Sequence, residues 1–577
     1  MILIFGGTTE GRKAVKELDE AGKPYYYSTK TGEQDITLRY GRHLVGAMDG
    51  TSMLDFCTRH AIRLLIDAAH PFAALLHKTV ADTAAALHIP AIRFERIFPP
   101  RASDILWCDS YDQIPTDIHT LLATTGVQTI HRLAHLEAHG VNVYYRILPR
   151  ESSIQSALRQ GVDKSHLCYY HEGENEIESI QSIHADAILL KESGVTGGFV
   201  EKTNAARALG IRIIAMKRPP TPSIFTTVNG EHGLRRMVEK LLPEFYDLHS
   251  GLTTGTCAAA AAKAAYTALT TGESPSTVEV LLPNGEHIPV DVRYGKGYAF
   301  VIKDSGDDPD VTNGLEIRAQ VEPSDTFEIC GGDGIGTITL PGFDYPPGSP
   351  AINKVPRQML RDNIPGNVRI TLSIPEGAAI ASRTFNPRLG IEGGISIVGV
   401  SGIIKPFSEE AFVHSIRKCM EVAKASGSPH VVINSGAKSE RILRDRFPLL
   451  PAQCFVQYGN YIGATLEMAS ALGIPHVTLG LMLGKAVKLA AGQLDTHSRR
   501  SLMDLHFIQK MLQECDCTID CNTLTLAREL WHLIPEGKIG AFCHVVIAHC
   551  HQHCAPLLPQ GKLNIFLIDE EGNMHES

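Results

Sequence analysis

Two groups of segments in this 577-residue chain carry residues of the type and spacing that chemistry on an anionic ligand requires. The first group begins at Phe5-Gly6-Gly7-Thr8-Thr9-Glu10-Gly11-Arg12, where the apolar run Ile2-Leu3-Ile4-Phe5 gives way to a helical pattern. Glycine lets a backbone turn sharply and approach a pyrophosphate, and the free amides at a helix start favour negative charge. The spacing is G-G-x-x-x-G, not the usual dinucleotide pattern G-x-G-x-x-G, and a plain tight turn before a helix is the alternative reading. Polar residues also close later apolar runs: Ser28-Thr29-Lys30, Asp67-Ala68-Ala69-His70-Pro71-Phe72-Ala73, Thr124-Thr125-Gly126 and Lys191-Glu192-Ser193-Gly194-Val195-Thr196-Gly197-Gly198. Open α/β sheets bind ligands at the carboxyl ends of their strands, which is where these residues fall. The hydroxyls of Ser28 and Thr29 and the ammonium of Lys30 suit a ribose or its phosphate, and the Lys191 segment suits an anion.

The second group starts at Thr253-Thr254-Gly255-Thr256-Cys257, ahead of an alanine-rich helix former. Threonine caps such a helix and spare amides can hold a carboxylate; a capped, buried helix without a ligand is the reading this motif alone favours. Small-residue packing explains Cys257 better than a reactive thiolate does. Lys303-Asp304-Ser305-Gly306-Asp307-Asp308-Pro309-Asp310 concentrates carboxylates that suit a metal, a ribose or a base, or simply an acidic turn. Gly331-Gly332-Asp333-Gly334-Ile335-Gly336 leads into another strand-like run, so it lacks the helix of a dinucleotide fingerprint and remains a glycine-rich ligand loop. Asn386-Pro387-Arg388-Leu389-Gly390, Gly484-Lys485 and Thr496-His497-Ser498 are further loop-rich segments suited to close backbone contact with a broad ligand. Near the end, Cys515, Cys517, Cys521, Cys543, His544, His549, Cys550, His551, His553 and Cys554 are zinc or cobalt ligands by type. They lack paired C-x-x-C knuckles, half-buried thiols on a polar helix are the favoured alternative, and no metal is assigned.

These segments need elements to position them. Strand-like runs at residues 2–7, 24–28, 43–47, 64–70 and 89–95, and again at 121–125, 142–148, 187–191 and 211–217, alternate with helical patterns such as 10–21, 75–87 and 198–209. That alternation implies doubly wound parallel sheets, hence an α/β fold. Residues 97–103, with Pro99-Pro100, read as a hinge between two Rossmann-like halves, about 1–100 and 101–247. A helix near 234–242 closes this part, and the glycine-threonine turn after 248 reads as the start of a second protein. That second part, 248–577, is expected as an α/β or α+β assembly of two subdomains, about 248–375 and 376–577.

Apolar residues make up 44% and charged residues 20% of the chain, as in globular proteins with full cores. A net charge of −9 argues against a nucleic-acid surface. No apolar run approaches the ~18 residues of a membrane span. Met1 leads directly into a strand, which leaves no room for a secretory leader. A cytoplasmic protein whose thirteen cysteines are reduced is therefore expected, with homo-oligomerisation left open.

Taken together and in order, G-G-T-x-E-G-R, D-A-x-H-P-F-A, R-F-E-R at residues 93–96, T-T-G and K-x-S-G…K-x-x-A-A resemble the precorrin-6A reductases of cobalamin biosynthesis, over nearly all of residues 1–245. The resemblance implies reduction of a ring double bond with NADPH, hydride going to one carbon and a proton to its neighbour. It implies cofactor contacts at Gly6, Gly7, Thr8, Glu10, Gly11, Arg12, Ser28 and Thr29, with Arg12 and Lys30 suggestive of a 2′-phosphate. His70 is then a candidate proton relay or positioning group, or a structural cap before Pro71. Lys191, Ser193 and Lys202 would hold substrate carboxylates or cofactor phosphate.

From 248 to about 505, G-L-T-T-G-T-C, K-D-S-G-D-D-P-D-V-T, G-G-D-G-I-G, N-P-R-L-G-I-x-G-G-I-S-I and G-K-x-V-K-L-A-A-G…T-H-S resemble cobalt-precorrin-5B C1-methyltransferase, CbiD. That family methylates ring carbon 1 of a cobalt-bearing tetrapyrrole from S-adenosylmethionine. The implied cofactor residues are Thr254, Gly255, Thr256, Asp307, Asp308 and Asp333, with Asp304 and His497 as catalytic candidates. Arg388 and Lys485 can pair with the acetate and propionate arms of the ring. Met482 stands where the family usually has histidine. The two implied reactions are consecutive, so the expectation is a bifunctional enzyme whose C-terminal part acts first. The alternative makes one part a non-catalytic macrocycle-binding scaffold.

Overall fold

The computed structural model describes residues 1–577 except 33, 172, 498–500, 522, 523 and 577. The chain forms two compact units, Met1–His249 with Asn284–Ile288, and Ser250–Pro283 with Pro289–Ser577.

In the first unit, short runs of Val, Ile, Leu and Tyr are buried on both faces because helices cover both sides of parallel sheets. One sheet holds β1 (Ile2–Phe5), β2 (Tyr25–Thr29), β3 (Gly41–Val45), β4 (Leu64–Asp67) and β5 (Ala91–Glu95). The other holds β6 (Leu106–Cys108), β7 (Thr120–Ala123), β8 (Asn142–Ile147), β9 (Leu167–Tyr169), β10 (Ala187–Lys191) and β11 (Arg212–Met216). A last strand, β12 (Thr226–Asn229), returns to pair with β5, so the orders are β12-β5-β4-β1-β2-β3 and β6-β11-β10-β7-β8-β9. The first sheet thus takes its sixth strand from chain that lies beyond the hinge. The halves are not simply 1–100 and 101–247: β12 and the helix Gly230–Leu241 belong to the first sheet, where Leu234 and Val238 pack against Ala14, Val15 and Leu18. The three-residue strands β6 and β9 and the polar β12 carry too little periodicity to be read from sequence.

The second unit begins with the helix Thr254–Thr271, capped by Thr253, whose Oγ1 accepts from the Thr256 amide at 3.2 Å. Ala258, Ala259, Ala260, Ala261 and Ala262 are fully buried, because small side chains let the helix lie close against the antiparallel strands Tyr298–Ile302 and Glu316–Pro323. Strand Ile391–Glu392 pairs with Thr337–Ile338, and Ile403–Ile404 pairs with Gly251–Leu252. The first subdomain therefore runs on to residue 404, past the expected boundary near 375. Beyond it, strands Phe455–Gln457, His430–Asn434, His476–Met482 and Lys562–Ile568 lie parallel in that order, with Met574–Glu576 antiparallel at the edge.

The helix Glu536–Cys554 buries its cysteines in the core of this sheet together with Cys515, Cys517 and Cys521. Burial pushes the Cys543 and Cys554 thiols up to about 12, which keeps them protonated in this core. All thirteen cysteines are free thiols. Among the described residues no group of three or more His, Cys, Asp or Glu side chains converges as a metal site, and no helix is long and apolar enough to cross a membrane.

Candidate functional site

Both sheets of the first unit add strands first to one side and then to the other, and the turning points lie between β1 and β4 and between β7 and β10. Loops leaving two such strands diverge, which opens a crevice at their carboxyl ends. A cleft of about 220 Å³ lies there, lined by His70, Thr124, Gly126, Lys191, Ser193 and Lys202. Residues from four sequence segments, three of them strand ends, are thus brought together. The volume is below the ~300–1,000 Å³ of ordinary small-molecule pockets, so it admits only part of a large ligand.

The loop carrying His70 is fixed from beneath. Arg93, 1% exposed, donates from Nη1 to Asp67 Oδ1 at 2.8 Å and from Nη2 to the Ala69 carbonyl at 2.9 Å, while its Nε reaches Glu95 at 3.1 Å. His77 bridges Asp67 Oδ2 at 2.5 Å and the Pro71 carbonyl at 3.2 Å. Burial alone would raise the Asp67 carboxyl; the His77 hydrogen bond and the Arg93 charge outweigh it and hold the group below the usual carboxylate range. In the sequence Asp67 and Arg93 are letters of a motif, and nothing marks His77 as their partner.

His70 Nδ1 accepts from the Phe72 amide at 3.2 Å, which places the ring proton on Nε2. Burial, then the charges of Arg96 and Lys191, lower its pKa to about 3. The imidazole is therefore neutral near pH 7 and has its Nε2–H to donate. Ring reduction by the wild type and by His70→Gln should then follow the same pH profile between pH 5 and 8, with only the level changed. An inflection near pH 6.5 that the substitution removes would give His70 the acid role instead.

Lys191 sits with its ammonium 5.2 Å from the centre of the Phe72 ring, and burial, aided by the charge of Arg132, lowers its pKa to about 8. Lys202 reaches Glu176 at 3.6 Å.

The glycine turn has a different basis at each position. A Cβ on Gly6 or Gly11 would fall on the Tyr27 hydroxyl, which accepts from the Gly7 amide at 3.0 Å. Gly7 itself has φ +90° and open space where a side chain would stand, so it presents bare backbone at the start of the helix Thr9–Asp19. Thr8 Oγ1 accepts from the Gly11 amide at 3.1 Å and donates to the Ala68 carbonyl at 2.7 Å. Glu10 is buried and accepts from Arg96 Nε at 2.8 Å and Thr196 Oγ1 at 2.5 Å, tying the two halves together. Ser28 and Thr29 are buried, with Thr29 bonded to His43 at 2.7 Å, whereas Arg12 is exposed. Of the implied cofactor residues, Gly7 and Arg12 face open space; Thr8, Glu10 and Thr29 have partners within the fold.

In the second unit the opening threonines hold the 396–402 loop. Thr254 Oγ1 donates to the Val398 carbonyl at 3.1 Å and accepts from its amide at 2.8 Å, and Thr256 Oγ1 donates to the Gly402 carbonyl at 2.7 Å. Gly255 packs against Pro356. Asp304 accepts from the Gly306 amide at 2.9 Å, and Asp308 accepts from the Phe407 amide at 3.2 Å, its carboxyl raised by burial. Asp304, Asp307 and Asp333 are exposed. Arg388 donates to the buried Glu440 at 2.6 Å, which also accepts from Arg444 at 2.9 Å and Gln457 at 2.8 Å. The His497 amide donates to Asp495 at 3.0 Å; Ser498 lies outside the described residues.

Lys485 is placed by the parallel sheet. Its Nζ donates to the Gly459 carbonyl and to Asn460 Oδ1, the latter at 2.8 Å. Burial, then the Lys488 charge, lowers its pKa to about 8. The turning point of this sheet falls between His430–Asn434 and His476–Met482, so residues 434–436, 458–460 and 482–485 share its carboxyl edge. Asn434 Oδ1 accepts from the Gly436 amide at 3.1 Å, and open space surrounds the Cβ positions of Gly436 and Gly484.

Family models match both units: the precorrin-6x reductase CbiJ/CobK model over residues 1–234 and the CbiD model over residues 243–406. The cobalt-precorrin-5B C(1)-methyltransferase of Prosthecochloris aestuarii is 39% identical over 346 residues, covering 56% of this chain and 94% of that protein. The chain belongs to the CbiD family, with a CbiJ/CobK-type segment in front. A solved CbiD of Archaeoglobus fulgidus is 29% identical and covers 44% of this chain and 83% of that one, with a TM-score of 0.26. A solved CobK precorrin-6A reductase is 18% identical and covers 42% and 97%, with a TM-score of 0.35.

The CbiD match ends at residue 406, just past the last pairing of the antiparallel subdomain at Ile404. The carboxyl edge of the parallel sheet lies beyond it. Sequence reading of the CbiD-type unit passed over Asn434, Gly436, Gly459 and Asn460. Their signal was a Ser435-Gly436 pair directly after an apolar run, with a second glycine after the next run. Met482 ends the strand His476–Met482 and packs against a cluster of Val432, Leu443, Phe455 and Ile568.

Proposed function

We propose that the chain catalyses two consecutive steps of cobalamin biosynthesis in the cytoplasm. The CbiD-type unit methylates ring carbon 1 of cobalt-precorrin-5B from S-adenosylmethionine, and the CbiJ/CobK-type unit then reduces the product, cobalt-precorrin-6A, with NADPH. The observation that carries this reading is the presence of both family segments in one chain, where one product is the next substrate.

The residues present fit both cofactors. Gly7, with exposed Arg12 beside it, offers bare backbone to a dinucleotide phosphate at a helix start. Gly436, Gly459, Asn460 and Gly484 line the turning point of the parallel sheet, the general position for a nucleoside ligand in open α/β folds, and we place S-adenosylmethionine there, away from Thr254 to Thr256. When bound, the one supplies a hydride and the other a methyl group. The protein's part is to orient: His70 donates from Nε2, Lys202 meets a carboxylate arm, and Lys485 holds two loops of the methylation site in register.

Incubating the full chain with cobalt-precorrin-5B and S-adenosylmethionine should add one methyl group, and adding NADPH should then add two hydrogens, both read by mass spectrometry. Met482 favours a second reading, in which the CbiD-type unit only binds the macrocycle. Absence of methylation, with cobalt-precorrin-6A still reduced, would establish that reading.

A further inference from the structure

Reduction of a ring double bond needs an acid that carries a proton at neutral pH and lies within reach of the ring. The groups lining the cleft of the CbiJ/CobK-type unit can be sorted by what already holds their protons. Thr124 Oγ1 donates to the Leu189 carbonyl at 3.0 Å and Ser193 Oγ to the Gly197 carbonyl at 3.1 Å; both are alcohols, far too weakly acidic. His70 has only its neutral Nε2–H to offer. Lys202 donates to the Gly198 carbonyl at 3.3 Å and lies 3.6 Å from the Glu176 carboxylate.

Lys191 differs from all of these. It ends β10 at the turning point of the second sheet, lines the cleft and rests on the face of Phe72. Among the described residues it has no hydrogen-bond acceptor and no carboxylate partner. The charged group that bears on it is the cation Arg132, with neutral His70 and cationic Lys202 on the neighbouring cleft walls. An ammonium stripped of water, without an acceptor and beside other cations, gives up a proton more readily than a solvated one.

We infer that Lys191 is the proton donor of the reductive step, an assignment that rests on the reductase reading of this unit. One atom of the ring double bond takes hydride from NADPH, which leaves as NADP⁺. The π electron pair moves to the neighbouring ring atom, which bonds a proton from Lys191 Nζ. The electrons of the broken N–H bond remain on nitrogen as the lone pair of a neutral amine, and solvent restores the proton.

The test uses the full chain and the variants Lys191→Arg, which keeps the charge but holds its proton, and Lys191→Met. Single-turnover reduction of cobalt-precorrin-6A is followed from pH 6 to 9.5, and substrate affinity by absorbance titration. The wild-type rate should fall above about pH 8, and both variants should be about 100-fold slower or more without that falling limb, while Lys191→Arg binds substrate within a few-fold of wild type. Independently of activity, competitive acylation of the cofactor-free chain should show Lys191 titrating near pH 8 and protected by cobalt-precorrin-6A. A Lys191→Arg rate within threefold of wild type, or acylation indifferent to substrate, overturns the assignment. No reduction by the wild type itself defeats the reductase reading, and this inference with it.

Discussion

Arg93→Leu should abolish ring reduction and destabilise the first unit by about 3–5 kcal/mol, the cost of removing one partner from a buried ion pair. Among the described residues Arg93 is the one Arg or Lys ion-paired with Asp67, and it also holds the Ala69 carbonyl and Glu95. Its loss leaves Asp67, fully buried, and Glu95 short of charge, and frees the loop that presents His70 to the cleft. For a unit of this size the melting temperature should drop by about 6–20 °C. Hydrogen exchange should quicken through β4 and β5, while methylation continues. Reduction at the wild-type rate with slow exchange in β4 would show that the loop is held by other means.

The same network sets the acid limit of the first unit. The depressed Asp67 carboxyl contributes stability that is complete above about pH 4, its unfolded value, and is lost as pH falls through the lower folded value. His70 works in the same direction over a higher window: neutral in the fold down to about pH 3, it takes up a proton on unfolding below about pH 6.5, so stability falls as pH drops through that range. Urea titrations at pH 7.5, 5.5, 4 and 3 should therefore show falling midpoints. His70→Gln should flatten the trend between pH 7.5 and 4, and Arg93→Leu the further fall below pH 4.

Gly334→Ala carries the largest effect expected in the CbiD-type unit. Gly334 has φ +69°, and a Cβ there would strike the Ile374 carbonyl, while Gly377 and Gly394 press main chain against the same residue. The left-handed backbone alone costs an alanine about 1–2 kcal/mol, and displacing that carbonyl brings the expected loss to about 3 kcal/mol or more. Methylation should fall with stability while reduction persists. If stability is unchanged but S-adenosylmethionine binds more weakly, the glycine serves a ligand and not the packing of the two loops.

The positions of strand ends and the switch from one protein to another near residue 250 were legible because both rest on local signals. Largely apolar runs of four or five residues mark β1, β4, β7, β10 and β11, and polar residues stop them where water or a ligand begins. Pairings between distant short segments were not legible: the return of β12 to β5 and the binding of residues 403–404 to 251–252 involve strands of two to five residues, too short to carry a period that marks their partner. The roles of several motif residues were misleading for a related reason. Thr254 and Thr256 look like ligand contacts in a row of letters, yet their hydroxyls close on main chain about 140 residues away.

The sequence alone determined the α/β class, the two-part chain and the identity of the segments that border the cleft, since each is written in residues adjacent to one another. Only the tertiary structure decided which of those residues keep free chemistry. Glu10, Thr8, Arg388 and Thr254 are neutralised or bonded by partners far along the chain, while Lys191 lines the cleft against the Phe72 ring and a Cβ on Gly7 would meet open space. A side chain's charge and reactivity are set by what surrounds it in three dimensions, and a strand end shows where a group is carried but not what it will face.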